Sequence, residues 1–69
     1  MNFERYDSMT VEELRSEKRI LFGAMQNEKI WMHGAKTMEE EIMHCNNLHS
    51  IIREINYVMK KIDELEGNL

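Results

Sequence analysis

The sequence predicts an all-α fold: an antiparallel two-helix hairpin that completes a helical bundle by oligomerisation. Three observations carry that expectation. One uninterrupted helical pattern runs from Met38 to Glu66. Near-identical helix-start signals stand at Thr10 and Thr37. The 69 residues include no proline and only three glycines, so few places exist where a helix must stop.

The elements follow in chain order. Residues 1–9 carry Phe3, Tyr6 and Met9, which either pack across the open end of the hairpin or fray as a terminus. Thr10-Val-Glu-Glu13 then matches the capping box, in which the threonine hydroxyl accepts the N3 amide and the N3 glutamate reaches back. Its carboxylates also suit the positive end of the helix dipole. Helix 1 is expected at about residues 11–33. Its inner stripe is Val11, Leu14, Leu21, Phe22, Met25 and Met32, with Lys18 and Glu28 among them. At about 100° per residue, Ile20, Ala24 and Trp31 fall on nearly the opposite side. Gly34 suits a left-handed position after this helix, and Gly34-Ala35-Lys36 forms the turn. Thr37-Met-Glu-Glu40 repeats the capping signal and opens helix 2, expected at about 38–66 with Gly67 ending it. So short a connection makes the helices antiparallel neighbours.

Helix 2 is apolar over more of its circumference than one neighbour covers. Cys45, Leu48, Ile52, Ile55, Met59 and Ile62 form a central seam with steps of three and four, and Ile51, Val58 and Leu65 run beside it at heptad spacing. Two adjacent seams imply two or more neighbours. The central seam is expected to close the hairpin. The edge of Ile51, Val58 and Leu65, with Tyr57 beside it, is then left for a protein partner, and Ile20, Ala24 and Trp31 form a second candidate patch.

Size and composition narrow the function classes. A single domain this small buries little core, and such domains are usually stabilised by disulfides, metal or association. Cys45 is the lone cysteine, so an internal disulfide is impossible and a reducing compartment fits. No stretch approaches the roughly 20 apolar residues of a membrane span, and the N-terminus lacks the apolar run of a signal peptide. The expectation is a cytoplasmic protein without cofactor. A formal charge of −4 argues against nucleic acid as the main partner.

Glu41-Ile-Met-His44 places a carboxylate and an imidazole on one helix face, with Glu28 of helix 1 expected opposite, as in di-iron bundles built from hairpins. Capping and the helix dipole already account for the run of glutamates. Cys45 and His49, with His44 and His33 toward the same end, could serve zinc, but Cys45 in an apolar seam acts first as a small hydrophobe. No metal site is assigned. Neither is a catalytic residue, since Cys45 near His49 lacks an orienting third group and an oxyanion site. Arg15, Lys18, Arg19, Arg53, Lys60 and Lys61 gather at the open end, but Glu12, Glu13, Glu17, Glu54, Asp63 and Glu64 share the region, a solvated mixed-charge face.

The string Leu48-His-Ser50-Ile-Ile52-Arg-Glu-Ile55-Asn-Tyr57-Val58 resembles the corresponding helix of the small type III secretion co-chaperones for the needle subunit (YscE-like), through the pattern Leu-x-Ser-x-Ile-x-x-Ile-x-Tyr-Val. The glycine turn, the length and the two-helix layout are also similar. The resemblance implies a cytoplasmic hairpin that pairs with a larger repeat-type helical chaperone, the two together keeping the needle subunit monomeric. Methionine richness, Trp31 and the acidic start of helix 2 depart from that pattern. The dimeric RNA-binding hairpins of plasmid copy control share the architecture and a Cys-x-x-Leu-His string at Cys45–His49. The expected function is therefore a non-enzymatic chaperone or adaptor. The alternative is a homodimeric four-helix bundle, of phage or plasmid type, acting on RNA, DNA or a host protein.

Overall fold

The computed structural model describes residues 3–67 of the chain. Among them are three helices: α1 (Glu4–Asp7), α2 (Val11–His33) and α3 (Met38–Glu66). The two long helices pack side by side as an all-α antiparallel hairpin, a rod of 45 × 20 × 19 Å.

Both long helices begin as their sequences dictate. Thr10 accepts the Glu13 amide and Glu13 Oε1 accepts the Thr10 amide at 2.9 Å, a complete capping box. Thr37 likewise accepts the Glu40 amide at 3.1 Å, but the Glu40 carboxylate takes the amide of Lys36 instead of Thr37. The return bond thus moves one residue back, which ties the turn itself to the helix start. Gly67 ends α3 with φ of +72°, where a side chain would be strained. Gly34 departs from expectation: its φ is −90°, so the first helix closes without a left-handed residue. Its amide bonds to Ile30 O at 3.1 Å and the Ala35 amide to Met32 O at 3.3 Å, and these satisfy carbonyls of the last turn.

The core lies in the open half of the rod. Tyr6, Leu14, Leu21, Ile55, Val58 and Ile62 form one buried cluster, against which Phe3, Met9, Met25, Ile51 and Tyr57 pack. The N-terminal segment therefore docks instead of fraying; its first two residues lie outside the described ones. One helical turn cannot stand alone, since nucleation costs more than it returns. α1 is held by packing: Tyr6 is fully buried, and Phe3 stacks on Tyr57 with ring centroids 4.9 Å apart.

This strap overturns the assignment of seams on α3. Val58, expected to wait for a partner, is 0% exposed, and Ile51 is half-buried against the same core. The inner seam is Leu48, Ile51, Ile55, Val58 and Ile62, again with steps of three and four. Met59, expected inside, is 43% exposed, and Cys45 and Ile52 are only half-buried. On α2, Phe22 is likewise exposed. Leu48, Ile55 and Ile62 belong to either seam, so periodicity alone permits both. Residues 3–9 decide between them by covering one edge.

Candidate protein-docking site

The strap fixes which surfaces are free. Tyr6 donates its hydroxyl hydrogen to Glu54 Oε1 at 2.8 Å and accepts one from Arg5 Nη2 at 2.6 Å. Arg5 also lies 3.6 Å from Glu17 of α2. Tyr57 donates to Asp7 Oδ1 at 2.5 Å, and Lys61 Nζ stands 3.4 Å from the same atom. The Tyr57 hydrogen bond, helped by Lys61, holds the Asp7 carboxyl below the usual range for aspartate. The same bond pushes the Tyr57 phenol up. Burial, reinforced by the carboxylate of Glu54, raises that of Tyr6. Segment 3–9 is thereby tied to both long helices on one side of the hairpin.

The turn-proximal half is built differently. Leu48 is the one buried apolar residue there among the described residues. Between the helices lies a polar pair: His44 Nδ1 donates to Glu28 Oε2 at 2.7 Å, with both side chains largely covered. Asn47 Nδ2 donates to Glu28 Oε1 at 3.4 Å. The placement of Glu28 opposite helix 2 follows the sequence reading, but its partners there are His44 and Asn47, and Glu41 points to solvent. Among the described residues, no group of three or more His, Cys, Asp or Glu side chains is arranged to hold a metal ion. Cys45 Sγ is 4.0 Å from His49 Nε2, a weak contact within one helix face.

The imidazole fixed by Glu28 carries Trp31 on it: the two rings are 5.8 Å apart at 45°. Trp31 nevertheless remains 54% exposed and Ile20, on the same side of α2, 64% exposed. Ala24 between them is half-buried. From α3, Met43 is also exposed, and its helical position turns it to this side, the same side as Val58 and the strap. Trp31, Ile20, Ala24 and Met43 thus make an apolar patch beyond the end of the strap. Met43 was missed at the sequence level, because it lies off both seams of helix 2.

The other sequence-predicted contact residues fare unevenly. Tyr57 lies partly beneath the strap, Ile51 is half-buried against the core, Val58 is sealed, and Leu65 is exposed beyond them near the end of α3. Among the basic residues of the open end, Arg15 pairs with Glu66, and Lys61 with Asp7 and Glu64. Among the described residues no helix is long and apolar enough to cross a membrane. The chain matches no protein-family model, no curated protein and no solved structure.

Proposed function

We propose that this chain is a non-enzymatic adaptor or co-chaperone that binds a partner protein through the Trp31 patch. The observation that carries the reading is a half-exposed tryptophan whose ring is braced by a hydrogen-bonded His44–Glu28 pair. An exposed indole loses solvation benefit by standing in water, whereas bracing lowers the entropy lost when a partner covers it. Met43 across the hairpin and Ile20, about three turns away along the same side of α2, extend this face with further exposed apolar side chains. The mechanism is occlusion: the helix face covers a polymerising or aggregation-prone surface of the partner, and release follows from competition.

The partner suggested by the resemblance of Leu48–Val58 is a larger repeat-type helical chaperone, with a secretion-needle subunit as the third component and the cytoplasm as the compartment. In this chain the strap covers part of that stretch, so Trp31 is the better contact residue. The test uses the single tryptophan as its own probe. The chain is co-expressed with the helical-repeat protein encoded nearest to it, and the purified pair is titrated by tryptophan emission. A blue shift on mixing is expected for the parent. Calorimetric titration, which needs no tryptophan in this chain, should show affinity falling about 30-fold or more in Trp31→Ala, the loss typical of a hot spot. Binding unchanged by Trp31→Ala and Ile20→Ser together would refute the assignment.

A further inference from the structure

We infer that the side of the hairpin opposite the strap is the interface of a two-fold symmetric dimer of this chain, with both turns at the same end. The strap touches Glu17, Glu54, Tyr57 and Lys61, which places it on one side of the plane of the two helices. At about 100° per residue, Phe22 of α2 and Met38, Ile42, Cys45, Ile52 and Met59 of α3 fall on the other side. Four of these six are exposed and two half-buried. On α3 they step by four, three, seven and seven, the spacing of a seam that a further helix fills.

The size of the surface fits a second copy. A face of 45 by 20 Å gives a footprint of about 900 Å², against roughly 800 Å² per partner in a standard interface. The need is also present, because the described hairpin seals only seven apolar side chains, few for a stable domain.

Charge selects both the occupant and its orientation. On the bare side, α2 carries Arg15, Lys18, Arg19 and Lys29 against one carboxylate, Glu12, at its outer margin beside Arg19, since Glu13, Glu17 and Glu28 turn elsewhere. The bare flank of α3 carries Glu41, Asp63 and Glu66, the last paired with Arg15 of the same hairpin. Against these stand Lys60 and, at the outer margin, Arg53, so this is the more acidic of the two flanks. A matching surface must therefore set an acidic helix over α2 and a basic one over α3, and a second copy does so when α2 lies over the partner subunit's α3. A two-fold axis parallel to the helices gives that arrangement. An axis perpendicular to them stacks α2 on α2, one predominantly basic flank against another, which is unfavourable. Glu28 is level with His44 within one hairpin. By the same count, Lys29 comes level, within about a turn, with Glu41 of the partner subunit.

Trp31 lies on the opposite side, so the dimer stands or falls independently of the adaptor reading. Sedimentation equilibrium of the full chain between 1 and 100 μM (roughly the range that resolves weak dimers) is expected to give twice 8.3 kDa. Ile42→Glu with Met59→Glu should weaken the dimer on the order of 100-fold. Both positions are exposed in the single hairpin, so far-UV helicity should persist. If it does not, Ile42→Ser with Met59→Ser serves instead. Trp31→Glu should leave the dimer intact. Orientation is read by nitroxide labels on Met38→Cys in a Cys45→Ser background. The proposed dimer brings the labels to one end, whereas the reversed one separates them by roughly 40 Å along the axis. A monomer at 100 μM, a dimer indifferent to changes at Ile42 and Met59, or labels some 40 Å apart would each overturn the proposal.

Discussion

Tyr6 is where the strap reading is most exposed to test. It is fully buried, although it stands in a single helical turn near the end of the chain. Truncating a buried aromatic residue to alanine costs roughly 3–5 kcal/mol. The lower end applies here, because a strap held by a single helical turn can detach and let water reach the vacated site. A chain of 69 residues has in all about 3–10 kcal/mol of stability, at 0.05–0.15 kcal/mol per residue. Tyr6→Ala should therefore remove a third or more of it. Far-UV circular dichroism in a urea titration measures the loss, and the midpoint should fall by about 1 M or more for a slope near 1–2 kcal/mol/M.

Tyr6→Phe separates packing from hydrogen bonding. The ring stays, while the bonds to Glu54 and Arg5 are lost. Both charged partners retain access to water, so the expected loss is about 1 kcal/mol, below the usual figure for a buried charged partner. In a double-mutant cycle with Glu54→Gln the two losses should not add. If Tyr6→Ala unfolds at the same urea concentration as the parent, residues 3–9 do not dock. Val58 would then be free, and the partner edge expected from the sequence would return.

Two further outcomes follow from the same structure. Gly34→Ala should be neutral or stabilise by up to about 1 kcal/mol, because φ is ordinary and the new methyl group meets only Ile30 O and Trp31 O at 3.6 and 3.8 Å. Gly67→Ala should destabilise by about 1 kcal/mol through its positive φ; urea midpoints moving in the same direction would refute the contrast. Strap attachment should also depend on pH at both extremes. Asp7 has its pKa lowered on folding from 3.8, so its contribution is complete above that value and disappears as pH falls through the lower folded one. Tyr6 and Tyr57 have theirs raised from 10.0, so their contribution is complete below 10 and disappears as pH rises through the folded values. Near-UV circular dichroism of the tyrosines should thus be flat from about pH 5 to 9 and change outside that window. A signal unchanged down to pH 2 would show that the Tyr57–Asp7 bond contributes nothing.

The hairpin is legible in the sequence because its signals are local. A capping box is four residues long, and the helix ends near Gly34 and Gly67 follow from backbone chemistry within one turn. The opposition of Glu28 and His44 is legible too, once the turn is placed. The covered edge of α3 is not, since it depends on a contact between residues about 50 apart: Tyr6 with Glu54, and Asp7 with Tyr57. Nothing in the period of helix 2 distinguishes a seam closed by a strap from one left open, because Leu48, Ile55 and Ile62 serve both. The αL expectation at Gly34 failed for a simpler reason. Glycine permits a positive φ without requiring it, and the turn here is closed by ordinary backbone bonds and by Glu40 on the Lys36 amide.

The two halves of the rod answer the problem of small size in opposite ways. At the open end, residues 3–9 fold back and supply Tyr6 to a core that two helices alone leave incomplete. At the turn end no such segment packs among the described residues, and the space between the helices holds Glu28 and His44 instead of two apolar side chains. A polar pair there contributes less to stability than well-packed hydrophobic residues of similar volume, so it is poorly explained by stability alone. It fixes the level of one helix against the other and braces Trp31. Rigidity combined with exposed apolar surface is the arrangement a binding face needs, because the entropy of ordering is already lost in the free chain. Under the proposed adaptor function the turn half is the working end, and the strap concentrates stability in the other.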